Sequence, residues 1–236
     1  MRMPGLIGTS LAALSLIVAL PLMRAHSESA AVKLDPPAVD AAPAEGLQTA
    51  VIAGGCFWGI QAVYQHTKGV TKAISGYAGG DRKDANYELV SSSRTGHAEA
   101  VQITYDPRVI SYGKILQIFF SVAHDPTQLN RQGPDSGTQY RSAIFTTSDE
   151  QKKVAEAYIA QLNAAKVYKK PIVTKIGALE AFYAAEAYHQ DYATLHPNNP
   201  YIAINDAPKV ENLKRMFQDA FRDKPVLVAD AAKSGH

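Results

Sequence analysis

The chain has 236 residues, of which 46% are hydrophobic, 19% charged and 8% aromatic, and its formal net charge is +2. That composition excludes a fibre, a repeat array and a multi-span membrane protein, and it fits one globular domain with flanking segments. Arg2 and Arg24 lie in the first 27 residues, which hold no acid; without them 22 basic residues face 22 acidic ones, which gives no support for binding nucleic acid or a polybasic attachment to membrane.

At the N-terminus one basic residue precedes an uncharged stretch over residues 6–23, followed by the small-residue pattern Ala25-His26-Ser27. Residues 1–27 therefore read as a secretory signal peptide, and the uncharged stretch is also just long enough for an uncleaved membrane anchor. Gly8, Thr9 and Ser10 within it favour the cleaved signal. The expected location is the periplasm, with membrane anchoring as the alternative. Residues 28–46, "ESAAVKLDPPAVDAAPAEG", are rich in Ala and Pro without periodicity and read as an extended linker. A folded domain is expected over residues 47–222, and a loosely held tail over 223–236.

Within the domain, strand and helix signals alternate. "TAVIAGG" is apolar on both faces, which suits a central buried strand. "CFWGIQAVYQHTKG" predicts a helix opening at Cys56 and closing at Gly69, and "VTKAISGYAGG" a second strand. "HAEAVQITYDP" alternates, with His97, Glu99, Val101, Ile103 and Tyr105 on one face. Ser111 is placed to cap a helix bearing Ile115, Leu116, Ile118, Phe119 and Phe120. "YRSAIFTT" predicts a strand, "SDEQ" has capping-box spacing before a further helix, "PIVTKI" predicts a strand, and "AFYAAEAYHQDYATL" a last helix. Such interleaving implies two layers, with helices over one sheet built from βαβ-type units.

The most informative stretch is "GGCFWG", which holds the single cysteine and the single tryptophan. A lone cysteine in an exported chain is either a small buried hydrophobe or a reactive thiol. Its position after a strand and a glycine pair, at the start of a helix, favours reactivity. Free amides and the helix dipole there stabilise a thiolate and are expected to lower its pKa below about 8.5. Phe57 and Trp58 are core aromatics on one reading, and the wall of an apolar pocket beside the sulfur on the other. Glu99 shares its strand face with apolar residues, so if buried it stays protonated near neutral pH and can deliver a proton. Asp135 and Tyr140 in "GPDSGTQYRSAIF", and Tyr87 in "YELV", are further polar candidates that in isolation read as structural.

Taken in order, "GGCFWG", "GYAGG", "YELV", "TGHAEAV" and "DSGTQYRSAIF" resemble the A-type peptide-methionine sulfoxide reductases over residues 49–192. The resemblance implies an α+β fold, a two-layer sandwich with a ferredoxin-like βαβ core and a mixed sheet flanked by helices. It implies reduction of the S-epimer of methionine sulfoxide, protein-bound or free, in the repair of oxidised proteins. Cys56 would be the nucleophile, Phe57 and Trp58 the wall that receives the methyl group, and Glu99 the proton donor assisted by Tyr87 and Tyr140. Asp135 would orient the substrate or the reductant-facing side. No metal or organic cofactor is implied.

Many family members carry further cysteines near the C-terminus, whereas this tail ends "AAKSGH". A sulfenic acid on Cys56 would then be recycled by an external thiol, from a thioredoxin-like protein or a small thiol. The chain is expected to act as a monomer. Two other readings compete: a Cys-His hydrolase or transferase using Cys56 and His97, and an exported metal- or ligand-binding module. His189 and His196, seven apart, read as a helix-end pair rather than as metal ligands.

Overall fold

The computed structural model describes residues 31–42 and 44–228. The expected signal segment, and residues 229–236 of the tail, lie outside the described residues.

Strand β1 (Gln48–Gly54) is buried along most of its length and is the central strand of the sheet, as its two apolar faces require. Helix α1 (Phe57–Gln65) leads to β2 (Val70–Ala78), and β3 (Ala98–Tyr105) returns antiparallel between β1 and β2. Short helix α2 (Tyr87–Val90) lies in the connection, capped by the Asn86 side chain. Helix α3 (Tyr112–Ile118) continues into a π-helical turn over Phe119–Ala123. A two-stranded ribbon, β4 (Arg131–Gln132) and β5 (Asp135–Ser136), precedes β6 (Ser142–Thr146), which pairs with the free side of β1.

The sheet core β6-β1-β3-β2 is thus two interleaved split βαβ units, which is the ferredoxin-like arrangement. Helix α4 (Asp149–Ala164) crosses to β7 (Lys175–Ala178), parallel to β6 at one edge, and β8 (Phe182–Ala184) pairs with β2 at the other. A short helix α5 (Tyr192–Leu195) and helix α6 (Ala207–Met216) complete the chain. The fold is α+β with a mixed sheet, as expected.

Strand alternation divides the burial. Ala50 and Ile52 of β1, and Val101, Ile103 and Tyr105 of β3, join the main core with Ile60, Val63, Ile115, Phe119 and Tyr158 from the helices. Val51, Ala53, Ala98, Ala100 and Ala143 pack on the opposite face. Glu99 therefore stands on the helix-covered side of β3. Ser111 and Ser148 cap their helices as expected, accepting from Lys114 N and Gln151 N.

Three expectations are corrected. The "PIVTKI" strand begins at Lys175 rather than at Pro171. Pro171 has no N–H to pair, and Val173 N donates to Pro126 O at 2.8 Å, so this stretch is committed to a loop before β6 comes within reach.

The expected helix over residues 181–195 is instead β8, a 3-10 turn (Ala187–His189) and α5. Long-range bonds override helical propensity here. The Gln190 side chain accepts from Ser75 N and donates to Ser75 O and Ala185 O. Asp191, at φ 60°, gives its N–H to Gln61 Oε1 and binds Gln65 Nε2 through its carboxylate.

Residues 31–42 and 44–46 lack regular secondary structure but do not behave as a linker. Leu34 is 4% exposed in the main core; its N–H reaches Ser121 Oγ and its carbonyl accepts from Gln117 Nε2 at 2.6 Å. Tyr158 OH donates to Asp35 O, and Asp40 accepts from Ser111 Oγ and Gly113 N at the start of α3. The tail too is tied at its beginning, through Val226 N to Gln65 O and Val228 N to Asp191.

Leu34→Ala should therefore lower stability by about 2–5 kcal/mol, the range for a truncated core leucine. In urea denaturation the midpoint should fall with the slope unchanged. A midpoint equal to that of the parent protein would show the strap to be dispensable.

Candidate active site

β1 delivers the chain into Gly54 and Gly55, and Cys56 is the N-cap of α1. Gly55 is at φ +101°, and a Cβ there would stand 2.5 Å from Gln132 Cβ, so both conformation and close approach require glycine. This turn aims the thiol at the end of the sheet where Glu99 enters. Cys56 is 8% exposed.

The electrostatic outcome differs from the one expected of a helix N-terminus. Burial pushes the Cys56 thiol well above its ordinary value, and Glu99 and Asp206 push it further. The Trp58 backbone N–H and the Lys209 ammonium act the other way but do not prevail. The resting group is a neutral thiol. A helix terminus lowers a thiol's pKa when its amides outweigh desolvation, and here desolvation is the larger effect.

Glu99 is 2% exposed, and its Oε2 accepts the Phe57 N–H at 3.1 Å. Burial pushes its carboxyl up to about 8; the Phe57 amide opposes this, and Asp135 and Asp206 add to it. The acid is thus protonated at neutral pH, and it hangs on the backbone amide next to the cysteine. Tyr140 and Tyr87 belong to the same cluster. Burial raises both phenols, with Glu99 and Cys56 among the charges that raise them further. Both stay neutral hydroxyl donors.

Asp135, on β5, accepts a hydrogen bond from Tyr201 OH. Burial raises its carboxyl, while Tyr201 and Lys209 draw it back. Trp58 stacks on Tyr192 with ring centroids 4.0 Å apart, meets Tyr201 edge-on, and donates Nε1–H to His189 Nδ1 at 3.2 Å. Phe57 is 1% exposed and packs between Tyr77 and His189. The two aromatics thus divide the readings offered for them. Phe57 lies in the main core, and Trp58 is a half-buried wall held by stacking and one hydrogen bond.

All seven sequence candidates, Cys56, Phe57, Trp58, Tyr87, Glu99, Asp135 and Tyr140, fall in this region. Missed were Tyr192, Tyr201, Asp206, Lys209 and His189. His189 is not one of a helix-end pair: it is 2% exposed, its ring 4.5 Å from that of Tyr87. The run "AYHQDY" carried a signal, since two tyrosines and a histidine within six residues are dense for a surface helix. Asp206 and Lys209 carried none.

His97 does not take the role of a base. It is 1% exposed, its Nε2 is engaged by Asp81 O at 2.9 Å, and its ring lies edge-on to Tyr77 and Tyr183. Among the described residues no hydrogen bond joins it to Cys56. Nor do any three His, Cys, Asp or Glu side chains among the described residues stand where they could hold a metal ion.

Residues 48–221 match the family model described as peptide methionine sulfoxide reductase. A relative named peptide methionine sulfoxide reductase MsrA 2, from Mesorhizobium japonicum, is 59% identical over 194 residues, covering 82% of this chain and all of the relative. One of the same name from Synechocystis is 48% identical, covering 79% of this chain and 89% of the relative. Among solved structures, methionine sulfoxide reductase A of Corynebacterium diphtheriae is 32% identical with a TM-score of 0.56, over 75% of this chain and 92% of that one. Reduced Mxr1 from Saccharomyces cerevisiae is 33% identical with a TM-score of 0.58, over 65% of this chain and 87% of that one.

The raised pKa of Glu99 has a consequence for stability. Because its folded value stands above the ordinary 4.5, its contribution is full below about pH 4.5 and is lost as pH rises through about 8. Denaturation midpoints measured across that window should show the parent protein losing stability relative to Glu99→Gln as pH rises, then levelling. Parallel curves would mean that Glu99 is already ionised in the native state.

Proposed function

The chain belongs to the peptide methionine sulfoxide reductase family, and from that premise we propose how its own residues carry the reaction. The enzyme reduces methionine sulfoxide to methionine and so repairs oxidised proteins. One observation carries the assignment of roles: the buried Glu99 carboxyl accepts the N–H of Phe57, the residue next to Cys56, at the start of the helix whose N-cap is Cys56.

A sulfoxide sulfur is electrophilic, but its oxygen leaves only when protonated. Glu99, protonated at neutral pH, gives its proton to that oxygen as the Cys56 sulfur attacks the sulfoxide sulfur. The proton lost from the thiol replaces the one Glu99 gave. The S–O bond of the substrate breaks and the oxygen ends on Cys56 as a sulfenic acid, while the substrate leaves as a thioether. Two electrons pass from the cysteine sulfur to the substrate sulfur, and no proton is gained or lost overall. Tyr87 and Tyr140, both neutral, donate hydrogen bonds to the oxygen as charge develops on it. Trp58, with Phe57 behind it, receives the methyl group. Asp135, fixed by Tyr201, orients the substrate, and this handed arrangement selects the S-epimer.

The 236 residues contain no second cysteine. An external thiol therefore attacks the sulfenic acid, releasing water and forming a mixed disulfide, and a second thiol frees Cys56. A thioredoxin-like protein or a small thiol serves. The signal-like residues 1–27 direct this activity to the periplasm.

Reduced enzyme mixed with methionine S-sulfoxide and no reductant should form one methionine per enzyme and leave a trappable sulfenic acid on Cys56. Cys56→Ser should form none. Glu99→Gln should slow the step by about 10²–10⁴-fold, the usual range for a lost general acid. A full-rate Glu99→Gln would remove Glu99 from the mechanism. Fractionation of cells expressing the full chain should place a form shortened by about 27 residues in the periplasm; a full-length form in the cytoplasm would overturn the localisation.

A further inference from the structure

The C-terminal part of the domain sets an ion pair beneath the first turn of α1. Asp206 ends a π-helical turn over Ile202–Asp206, and Lys209 lies three residues on, within α6. Lys209 Nζ is 3.0 Å from Asp206 Oδ1, with Asp206 fully buried and Lys209 5% exposed. Replacing such a pair by apolar groups is often neutral or stabilising, so stability alone does not account for it.

Its position does. Gly59 is the third residue of α1, and a Cβ there would overlap Asp206 Oδ1, so the carboxylate lies against the backbone of that turn. Cys56 is the N-cap of the same helix, three residues before Gly59. Asp206 Oδ2 has no hydrogen-bond partner among the described residues, so its charge is not spread over further donors. Glu99 from β3 and Asp206 raise the Cys56 thiol and Lys209 lowers it, while the Cys56 charge in turn raises Tyr87 of α2, Tyr140 and Tyr201. Asp135 stands behind Tyr201. Lys209 is the one cation in that set.

We propose that Asp206 and Lys209 set the charge state of Cys56 in opposition, the carboxylate keeping the resting thiol protonated and the ammonium stabilising the negative charge that sulfur acquires as it attacks. Neither residue touches substrate; both act through the sulfur as positioning residues. The proposal rests on Cys56 as the nucleophile of the reductase reaction. It also explains why the thiol can stay inert at rest and still react when Glu99 and a substrate are aligned with it.

The test is the pH dependence of iodoacetamide alkylation of reduced, full-length enzyme, in which one cysteine gives one signal. Asp206→Asn should move the profile to lower pH and speed alkylation at pH 7 by about tenfold, the effect of one pKa unit. Lys209→Met should move it to higher pH and slow alkylation at pH 7. Far-UV circular dichroism establishes that each variant is folded. A pair with a purely structural role moves both profiles the same way or neither, and either result overturns the proposal. Should a single variant not fold, Asp206→Asn/Lys209→Met leaves no unpaired buried charge. Asp206 outweighs Lys209 at the sulfur, so this double variant should still shift to lower pH, and an unmoved profile would overturn the proposal. Alkylation reads the thiol with no sulfoxide present, so this proposal and the reductase reaction fail separately.

Discussion

A carboxyl group kept from water against the first amide of a helix is the constraint on which this site depends. Glu99 reaches that position because β3 runs between β1 and β2 and because strand alternation turns residue 99 toward the helices. Any slip of β3 by one residue would place an alanine there and put the acid on the opposite face of the sheet. The apolar residues that follow on the same face, Val101, Ile103 and Tyr105, hold the register by their burial. Packing of the core and placement of the buried carboxyl are therefore one requirement, met by one strand.

The same burial that makes Glu99 an acid at neutral pH makes Cys56 a reluctant thiolate. Glu99 raises the thiol further, and the Phe57 and Trp58 amides offset only part of the burial effect on the two groups. Cys56 and Glu99 are therefore both neutral at rest at neutral pH. The aromatic wall fits this scheme. Trp58 is fixed by Tyr192 on one side and by His189 through its ring nitrogen, so this aromatic surface is rigid.

Much of this was legible in the chain because the relevant signals are local. The apolar run of β1, the glycine pair before Cys56, the alternation that carries Glu99, and Ser111 and Ser148 at their helix starts all follow from neighbours within a few residues. Where contacts cross the chain, local signals misled. The stretch around "AFYAAEAYHQDY" has helical propensity throughout, yet the open edge of β2 and the side chains of Gln61 and Gln65 draw it into a strand and a left-handed turn. Leu34 sits among alanines and prolines, and nothing nearby shows that a pocket beside Ser121 and Gln117 awaits it. The expected depression of the thiol pKa failed for a related reason. A helix terminus can be read from sequence, whereas the depth at which the fold buries it cannot.

Gln61 and Gln190 have a further effect, on the rim of the sheet. β2 is covered by β8 only over Gly76–Ala78, which leaves the preceding residues as an exposed edge of the kind that recruits a strand from another molecule. The Ala73 carbonyl is instead taken by Gln61 Nε2 at 3.0 Å, and the Ser75 N–H and carbonyl are both taken by the Gln190 amide. Two primary amides from distant parts of the chain thus occupy the positions that a neighbouring backbone would fill. The edge is sealed against templated pairing without lengthening the sheet, so a strand from another molecule finds no free backbone groups at Ser75.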